Sequence, residues 1–180
     1  DALVNKGKGR NYGLEISLEK YLSNNFYYML SNSFYQSKYI AFDGIERNTR
    51  FNGGYVGNFV AGKEFPSANQ RRTFGVNIKF VYQGGFRETP IDLEKSKQAD
   101  AARYIEQQAY TVQLPAYYRS DIRVSMKWNR KKLTSTLSLD LQNATNRINV
   151  FGRFYDPLKQ EIITINQNGI LPVLNYKIEF

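Results

Sequence analysis

The chain has 180 residues and a formal net charge of +9, but its Lys and Arg residues are scattered among acids and no basic run exceeds Arg130–Lys132, so we expect no nucleic-acid partner. It contains no Cys and no His, which excludes disulfides, thiolate chemistry and the commonest metal ligand and general base. Zinc hydrolases, cysteine enzymes and Ser-His-Asp triads are therefore disfavoured, and we predict no catalytic residue, no metal site and no cofactor.

Apolar and polar residues alternate with a period of two along most of the chain, which predicts β-strands. Seven segments show the pattern, in chain order residues 12–22, 26–38, 54–62, 73–83, 117–129, 133–143 and 171–180. The alternation is clearest in 117–129, where Ile122, Val124 and Met126 share one face. It is least clear in 26–38 and 54–62, where a β-bulge would shift the phase.

Short and long connections alternate between these strands. Residues 23–25, 63–71 and 129–132 form short links, whereas residues 39–53, 84–116 and 144–170 form long ones. Within the long links, Asp92 is a candidate helix N-cap, and the weak alternation of Ile162, Thr164 and Asn166 indicates a hairpin. Long loops gathered at one end and tight turns at the other are typical of an outer-membrane barrel.

The aromatic residues support the same architecture. If Phe180 lies at the rim with the short turns, then Phe26, Phe74 and Trp128 also lie there, and Tyr12, Tyr82 and Tyr118 lie at the opposite rim. Amphipathic rings at both ends of an aliphatic band suit the boundaries of a bilayer. Lys20 lies on the apolar side, but it is two residues from a turn, where its ammonium group can reach the headgroups.

The opposite faces of the strands carry charges of both signs, which predicts cross-strand ion pairs and contacts to a plug in the barrel lumen. The candidates are Glu15, Glu19, Lys79, Arg119, Asp121, Arg123, Lys127, Asp140, Lys177 and Glu179. Glu15 and Glu19 are not a catalytic pair, because residues four apart on a strand are separated by about 13 Å.

Two other architectures share this alternation. A soluble β-sandwich or lipocalin-like binding barrel would place the apolar faces in an interior. A small outer-membrane barrel with a structural or adhesive role would also span the membrane but would not transport a solute. Closed single-chain bacterial barrels normally have an even number of strands, so seven means either a further strand in residues 1–9 or a chain that is the carboxyl part of a larger barrel. We favour the larger barrel, because "NKGKGRN" is a poor strand sequence.

Several segments resemble the carboxyl-terminal barrel of TonB-dependent outer-membrane receptors. They are "GRNYGLEISLEKYLSNNFYYMLSNSFYQSKY", "RNTRFNGGYVGNFVAGKEF", "GGFRETPID", "YYRSDIRVSMKWNRK" and "LSLDLQNATNRINVF". The resemblance covers nearly the whole chain and is closest to the branch with a carboxypeptidase-regulatory-like domain before the plug.

The resemblance implies that residues 1–180 form the carboxyl-terminal part of one transmembrane β-barrel domain. The complete protein would then be a 22-stranded barrel in the bacterial outer membrane, occluded by an amino-terminal plug and importing a large or scarce solute with energy from TonB. Expected partners are outer-membrane lipid, the plug and remaining barrel strands, the barrel-assembly machinery, TonB through the missing amino-terminal part, and a surface lipoprotein.

Two sets of site residues follow. The last strand resembles the assembly signal of outer-membrane proteins, carried here by Leu174, Tyr176, Ile178 and Phe180. Loop residues able to stack on or bond a sugar, peptide or chelate are Arg87, Tyr104, Tyr110, Tyr117 and Arg119.

Overall fold

A computed structural model describes residues 7–180, and most of these residues belong to antiparallel strands. The strands are β1 (Lys8–Ser23), β2 (Phe26–Ile40), β3 (Glu46–Asn48), β4 (Tyr55–Pro66), β5 (Arg72–Gln83), β6 (Arg87–Glu88), β7 (Val112–Gln113), β8 (Tyr117–Asn129), β9 (Thr134–Gln142), β10 (Val150–Asp156), β11 (Glu161–Asn166) and β12 (Leu171–Glu179). The seven long ones, β1, β2, β4, β5, β8, β9 and β12, overlap the seven predicted segments, although β1 begins four residues before its prediction and β4 ends four residues after its own. The all-β, antiparallel fold class is therefore confirmed.

The long strands form one sheet in the order β1-β2-β4-β5-β8-β9-β12, with β3 added to β2. Each long strand pairs with the next long strand along the chain, so the sheet is a meander. Residues 24–25, 67–71 and 130–133 form the short connections, and residues 41–54, 84–116 and 143–170 form the long ones. Because neighbouring strands are antiparallel, the short connections share one end of the sheet, the short-turn end, and the long ones share the other, the long-loop end.

The tightest turn follows directly from its sequence. Asn24 and Asn25 both have left-handed backbone angles, with φ of 53° and 60°. A two-residue hairpin whose twist matches its strands requires positive φ at both positions, and Asn tolerates this conformation better than most residues. The register of β1 and β2 shifts between Lys20 and Ser23, immediately before this turn.

The long loops contain short elements of their own. Helix α1 spans Leu93–Ala99, and the Asp92 carboxylate accepts a hydrogen bond from the Lys95 backbone N–H at 3.1 Å, as expected of an N-cap. A 3-10 turn follows at Glu106–Gln108. Strands β10 and β11 pair as a hairpin and β6 pairs with β7. The predicted N-cap and the predicted hairpin are both confirmed.

One face of the sheet, the apolar face, is formed by large apolar side chains that are directly opposite one another. Leu18 lies opposite Leu30, Phe59 opposite Phe80, and Val124 opposite Leu139. The exposed members are Leu14, Ile16, Leu18, Leu30, Phe34, Ile78, Phe80, Ile122, Val124, Leu137, Leu139, Leu174, Tyr176 and Ile178. Residues 54–62, whose facing the sequence left undecided, contribute Phe59 to this face.

Few apolar side chains of residues 7–180 are enclosed. The buried ones are Ala61, Leu114 and Tyr155. The accessible surface is 12762 Å² for a 20.9 kDa chain, whereas a compact soluble monomer of that mass exposes about 9,000 Å². The sheet therefore lacks the covered core of a self-contained globular domain.

The sheet is open. β1 forms one edge and β12 the other, and within residues 7–180 no pairing joins them. The predicted transmembrane barrel is thus supported only at the level of an antiparallel meander with two differently composed faces. Each edge strand has one row of backbone N–H and C=O groups without a strand partner, which is the arrangement that recruits a further strand.

Candidate functional site

The face opposite the apolar face, the polar face, carries the acidic side chains of the long strands and the arginines that pair with them. Arg123 on β8 pairs with Asp140 directly across on β9, and its Nη2 donates to Asp140 Oδ2 at 2.7 Å. Arg119 pairs with Asp121, two residues along the same strand, through a bond of 2.6 Å from Nε to Oδ1. The predicted cross-strand pairing is confirmed for Arg123, whereas Arg119 bonds within its own strand.

Lys20 lies on the apolar face near the short-turn end, as the sequence predicted. It is opposite Tyr28, and its Nζ is 5.4 Å from the centre of the Phe26 ring. Phe65 and Phe74 pack together at the same end, with ring centres 6.0 Å apart. The aromatic residues expected at this rim are therefore on the apolar face beside the short turns.

The long-loop end of the apolar face carries a second group of rings. Tyr55 and Tyr82 stack with their centres 5.2 Å apart, and Phe80 packs on Tyr118 at 5.4 Å. The guanidinium of Arg147 lies 5.0 Å from the centre of the Tyr118 ring. The apolar face is thus bounded by aromatic side chains at both ends.

The three long loops converge on a cavity of about 520 Å³ at the long-loop end. Loop 41–54 contributes Arg50, loop 84–116 contributes Arg87, Tyr104 and Tyr110, and loop 143–170 contributes Arg153. Three of the five predicted solute-contacting residues, Arg87, Tyr104 and Tyr110, therefore share one cavity. The other two, Tyr117 and Arg119, line a separate cavity of about 340 Å³.

Hydrogen bonds hold two of the arginines of the larger cavity in place. Arg87 donates through Nε to the backbone oxygen of Asn52 at 2.9 Å and through Nη2 to Gln113 at 3.2 Å. Arg153 donates through Nε to Glu88 at 3.2 Å. Arg50 makes no ion pair with any of residues 7–180. Its charge is available to a bound anion.

The wall of the larger cavity combines these charges with rings and aliphatic groups. Two carboxylates, Glu88 and Glu106, face three guanidinium groups, so the lining has a positive surplus. Tyr104, Tyr110 and Phe154 supply ring surfaces. Ring faces and arginine donors are suited to a solute with both apolar and anionic or hydroxyl-bearing parts.

Buried asparagines fasten two of the long loops to the sheet. Asn149 donates to the backbone oxygen of Tyr118 at 2.8 Å and accepts from the Tyr118 N–H at 3.1 Å, so its amide replaces a strand partner. The Asn143 backbone N–H donates to Asp121 on β8 at 2.9 Å, and its side chain braces the same loop by donating to the Arg147 oxygen at 2.8 Å. Asn52 accepts from the Ser37 N–H at 2.9 Å. All three side chains are buried.

The middle loop, 84–116, packs closely against its neighbour. A Cβ atom on Gly84 would lie 1.9 Å from the backbone oxygen of Gly53, and one on Gly85 would lie 1.9 Å from that of Leu114. Only glycine permits these approaches. The Gln113 side chain spans the junction, donating to the backbone oxygens of Gly53 and Gly85 at 3.2 Å each.

The predicted assembly stretch forms the edge strand β12. Leu174, Tyr176 and Ile178 lie on the apolar face with exposed fractions of 70%, 63% and 45%, and Phe180 is fully exposed. On the opposite side of the strand, Lys177 donates to Glu179 at 2.8 Å. The stretch therefore has the two-faced, edge-exposed form that the prediction requires.

In loop 41–54, an ion pair joins Arg47 of β3 to Asp43 at the tip of the loop. Arg47 donates to both carboxylate oxygens of Asp43, at 2.9 and 2.5 Å. The hydrogen bond from Arg47, aided by the Ile45 N–H, lowers the pKa of Asp43 to about 2. Asp43 therefore keeps its charge throughout the physiological pH range.

Sequence reasoning missed Arg50, Glu88 and Arg153 of the larger cavity. Arg153 bonds Glu88 across 65 positions of sequence, and no local pattern signals such a contact. The only available signal was the presence of charged residues within long loops.

No group of three or more acidic residues that could hold a metal ion occurs within residues 7–180. In the same range, no helix has the length and apolar character needed to cross a membrane. No family model, curated protein or solved structure matches the chain.

Proposed function

We propose that this chain is part of a TonB-dependent transporter of the bacterial outer membrane. Its apolar face meets lipid, its polar face lines the barrel lumen, and its long loops contact the imported solute outside the cell. The observation that carries the proposal is the exposure of large apolar side chains along all seven long strands, bounded by rings at both ends. Lipid is the medium in which such a surface is stable.

The opposite face supports the same arrangement. Its charges form pairs such as Arg123 with Asp140, and it carries the hydrogen bond from Tyr27 Oη to Asn77 Oδ1 at 2.5 Å. Paired charges and bonded hydroxyls suit a water-filled interior or the surface of a plug. A soluble lipocalin-like binder would need the reverse, with the aliphatic side chains inside, and the exposure of Ile122 and Val124 speaks against it.

The open edges of the sheet identify where further strands would join. The outer edges of β1 and β12 would pair with the remaining strands of the barrel, and β12 would first pair with the assembly machinery. The cavity that contains Arg50, Arg87 and Arg153 would take a sugar, peptide or chelate with anionic groups. A surface lipoprotein is a further partner that the family resemblance implies.

Two neighbouring substitutions test the facing of the sheet. Val124 lies on the apolar face and Ser125, the next residue, on the polar face. Val124→Arg should prevent insertion into the outer membrane, because an arginine near the bilayer midplane costs about 2–4 kcal/mol, whereas Ser125→Arg should insert normally. The measurement is heat-modifiable migration and protease resistance of the protein in isolated outer membranes.

The outcome of this comparison is decisive for the proposal. If both variants insert equally well, or if both fail equally, the lipid-facing assignment of the apolar face is wrong. A chain that remains monodisperse in buffer without detergent would point instead to the soluble binder.

A further inference from the structure

The apolar face is not uniformly uncharged, because three cations lie on it near the short-turn end. Lys20 is opposite Tyr28, Lys63 is opposite Phe26, and Arg72 is opposite Trp128. Residues directly opposite in an antiparallel pair project from the same face. These three residues, the cationic row, therefore project from the apolar face and cross it from β1 to β5.

Two members of the cationic row rest on aromatic rings. The Nζ of Lys20 lies 5.4 Å from the centre of the Phe26 ring, and the Nζ of Lys63 lies 5.4 Å from the centre of the Phe65 ring. Phe26 is also the residue opposite Lys63, so Lys20 and Lys63 lie on either side of the same β2 residue. Cation–ring contact of this kind holds the charges above the ring faces rather than letting them spread.

The cationic row has no acidic partner within residues 7–180. The ion pairs in this part of the chain are all made by other cations. Along the seven long strands, the apolar face carries no Asp or Glu. The described residues therefore supply no counter-charge at this position, and the three cations are available to an external anion.

The other end of the same face is different. Arg10 and Lys38 lie opposite each other at the long-loop end, and both pair with Glu46, at 3.1 and 3.0 Å. The chain thus supplies its own counter-charge at the long-loop end and none at the short-turn end. This asymmetry restricts the need for an external anion to one leaflet.

We propose that the cationic row binds the phosphates of anionic glycerophospholipids, of the phosphatidylglycerol type, in the leaflet at the short-turn end. Lys20, Lys63 and Arg72 each attract a headgroup phosphate, and the acyl chains lie on the rings and the aliphatic residues beyond them. A zwitterionic headgroup fits less well, because it would bring its own cation against the row. The inference rests on the proposed function, since it requires the apolar face to meet lipid.

The only tryptophan of the chain provides a local probe. Trp128 lies on the apolar face directly opposite Arg72. Phospholipids brominated near the headgroup end of the acyl chain quench tryptophan fluorescence on contact. The experiment refolds the complete barrel in detergent, with every tryptophan outside these 180 residues replaced by phenylalanine, and titrates brominated phosphatidylglycerol against brominated phosphatidylcholine.

We expect phosphatidylglycerol to quench Trp128 at a mole fraction at least roughly fivefold lower than phosphatidylcholine, and salt to weaken this preference. The variant with Lys20→Gln, Lys63→Gln and Arg72→Gln should quench equally with both lipids. Lys127→Gln, which removes a cation from the polar face at the same end, should keep the preference.

The results separate the two proposals. Equal quenching of the unaltered chain by both lipids overturns the cationic row as a phosphate site but leaves the apolar face in lipid. No quenching by either lipid contradicts the proposed function itself, and the inference falls with it. If the triple variant does not refold, single Lys63→Gln and the salt titration of the unaltered chain decide the question, because a preference that 0.5 M salt leaves unchanged is not electrostatic.

Discussion

Asn149 shows how a single buried side chain can replace a strand partner. Its amide donates one hydrogen bond to the Tyr118 backbone oxygen and accepts another from the Tyr118 N–H, as a neighbouring residue in a sheet would. Asparagine is suited to this position because one short side chain carries both a donor and an acceptor. Loop 143–170 thereby continues the hydrogen bonding of β8 at the place where the regular sheet ends.

Replacing Asn149 by Asp should release this loop. The carboxylate cannot donate to the Tyr118 oxygen, and the buried bond that is lost should lower the free energy of unfolding by about 1–3 kcal/mol. Hydrogen exchange of the Tyr118 amide in the detergent-solubilised protein measures the release, and thermal unfolding measures the stability.

Asn146 provides the matched control. Its side-chain oxygen only accepts a hydrogen bond, from the Ile170 N–H at 2.9 Å, so Asn146→Asp preserves the interaction. An equal loss of protection in both variants would mean that negative charge in the loop, rather than the donor of Asn149, is responsible.

At the scale of elements, the features predicted correctly from sequence are those with local causes. Strand β8 was predicted with both of its bounds, because alternation of Ile122, Val124 and Met126 depends only on neighbouring positions. Helix α1 was indicated by Asp92, since an N-cap contacts the backbone three residues away. The short pair β6 and β7 was not predicted, because two-residue strands are too short to show a period.

The cap of α1 can be tested separately from the charge that it carries. Asp92→Ala removes the acceptor for the Lys95 N–H and should increase hydrogen exchange throughout Leu93–Ala99. Asp92→Asn keeps an acceptor oxygen and should leave exchange in the helix nearly unchanged. Similar exchange in both variants would attribute the effect to the ion pair between Asp92 and Lys95 instead.

The candidate cavity was only partly predictable, because only those of its residues that are close together in the sequence can be grouped from the sequence alone. Arg87, Tyr104 and Tyr110 belong to one long loop, so their nearness could be inferred from sequence position. Arg50 and Arg153 come from the other two loops, and their approach depends on how the loops pack. The close contact of Gly84 with Gly53 brings loop 41–54 against loop 84–116, the bond from Arg153 to Glu88 joins loop 143–170 to them, and no period in the sequence encodes either contact.

At the scale of the whole molecule, the exposed area and the open edges have a common explanation. The chain has 12762 Å² of accessible surface, a wide apolar face and two open edges, and the proposed function accounts for these features by placing lipid on that face and further strands at the edges. The number and position of those further strands are not encoded in the alternation, because each strand pattern specifies only its own two faces. The alternation of apolar and polar residues therefore could not predict whether the sheet closes into a barrel.

The transport proposal makes a prediction about the full-length protein. Purified outer membranes containing it should retain the periplasmic domain of TonB, and adding the imported solute should increase retention, because occupancy of the loops must be communicated across the membrane. Retention is measured by co-sedimentation, with membranes lacking the protein as the control. A protein that inserts but never retains TonB would instead fit the small barrel with a structural or adhesive role.

The hydrogen bonds of the buried asparagines also affect how the sequences of the long loops can change. Asn149 and Asn143 engage main-chain atoms of Tyr118 and Arg147, which every amino acid would present. The residues between the fastening points can consequently be exchanged by mutation while the loops stay attached at their bases. Under the proposed function, a lineage carrying this sheet could therefore change the solute that the loops bind by altering loop tips alone, with the sheet inherited unchanged.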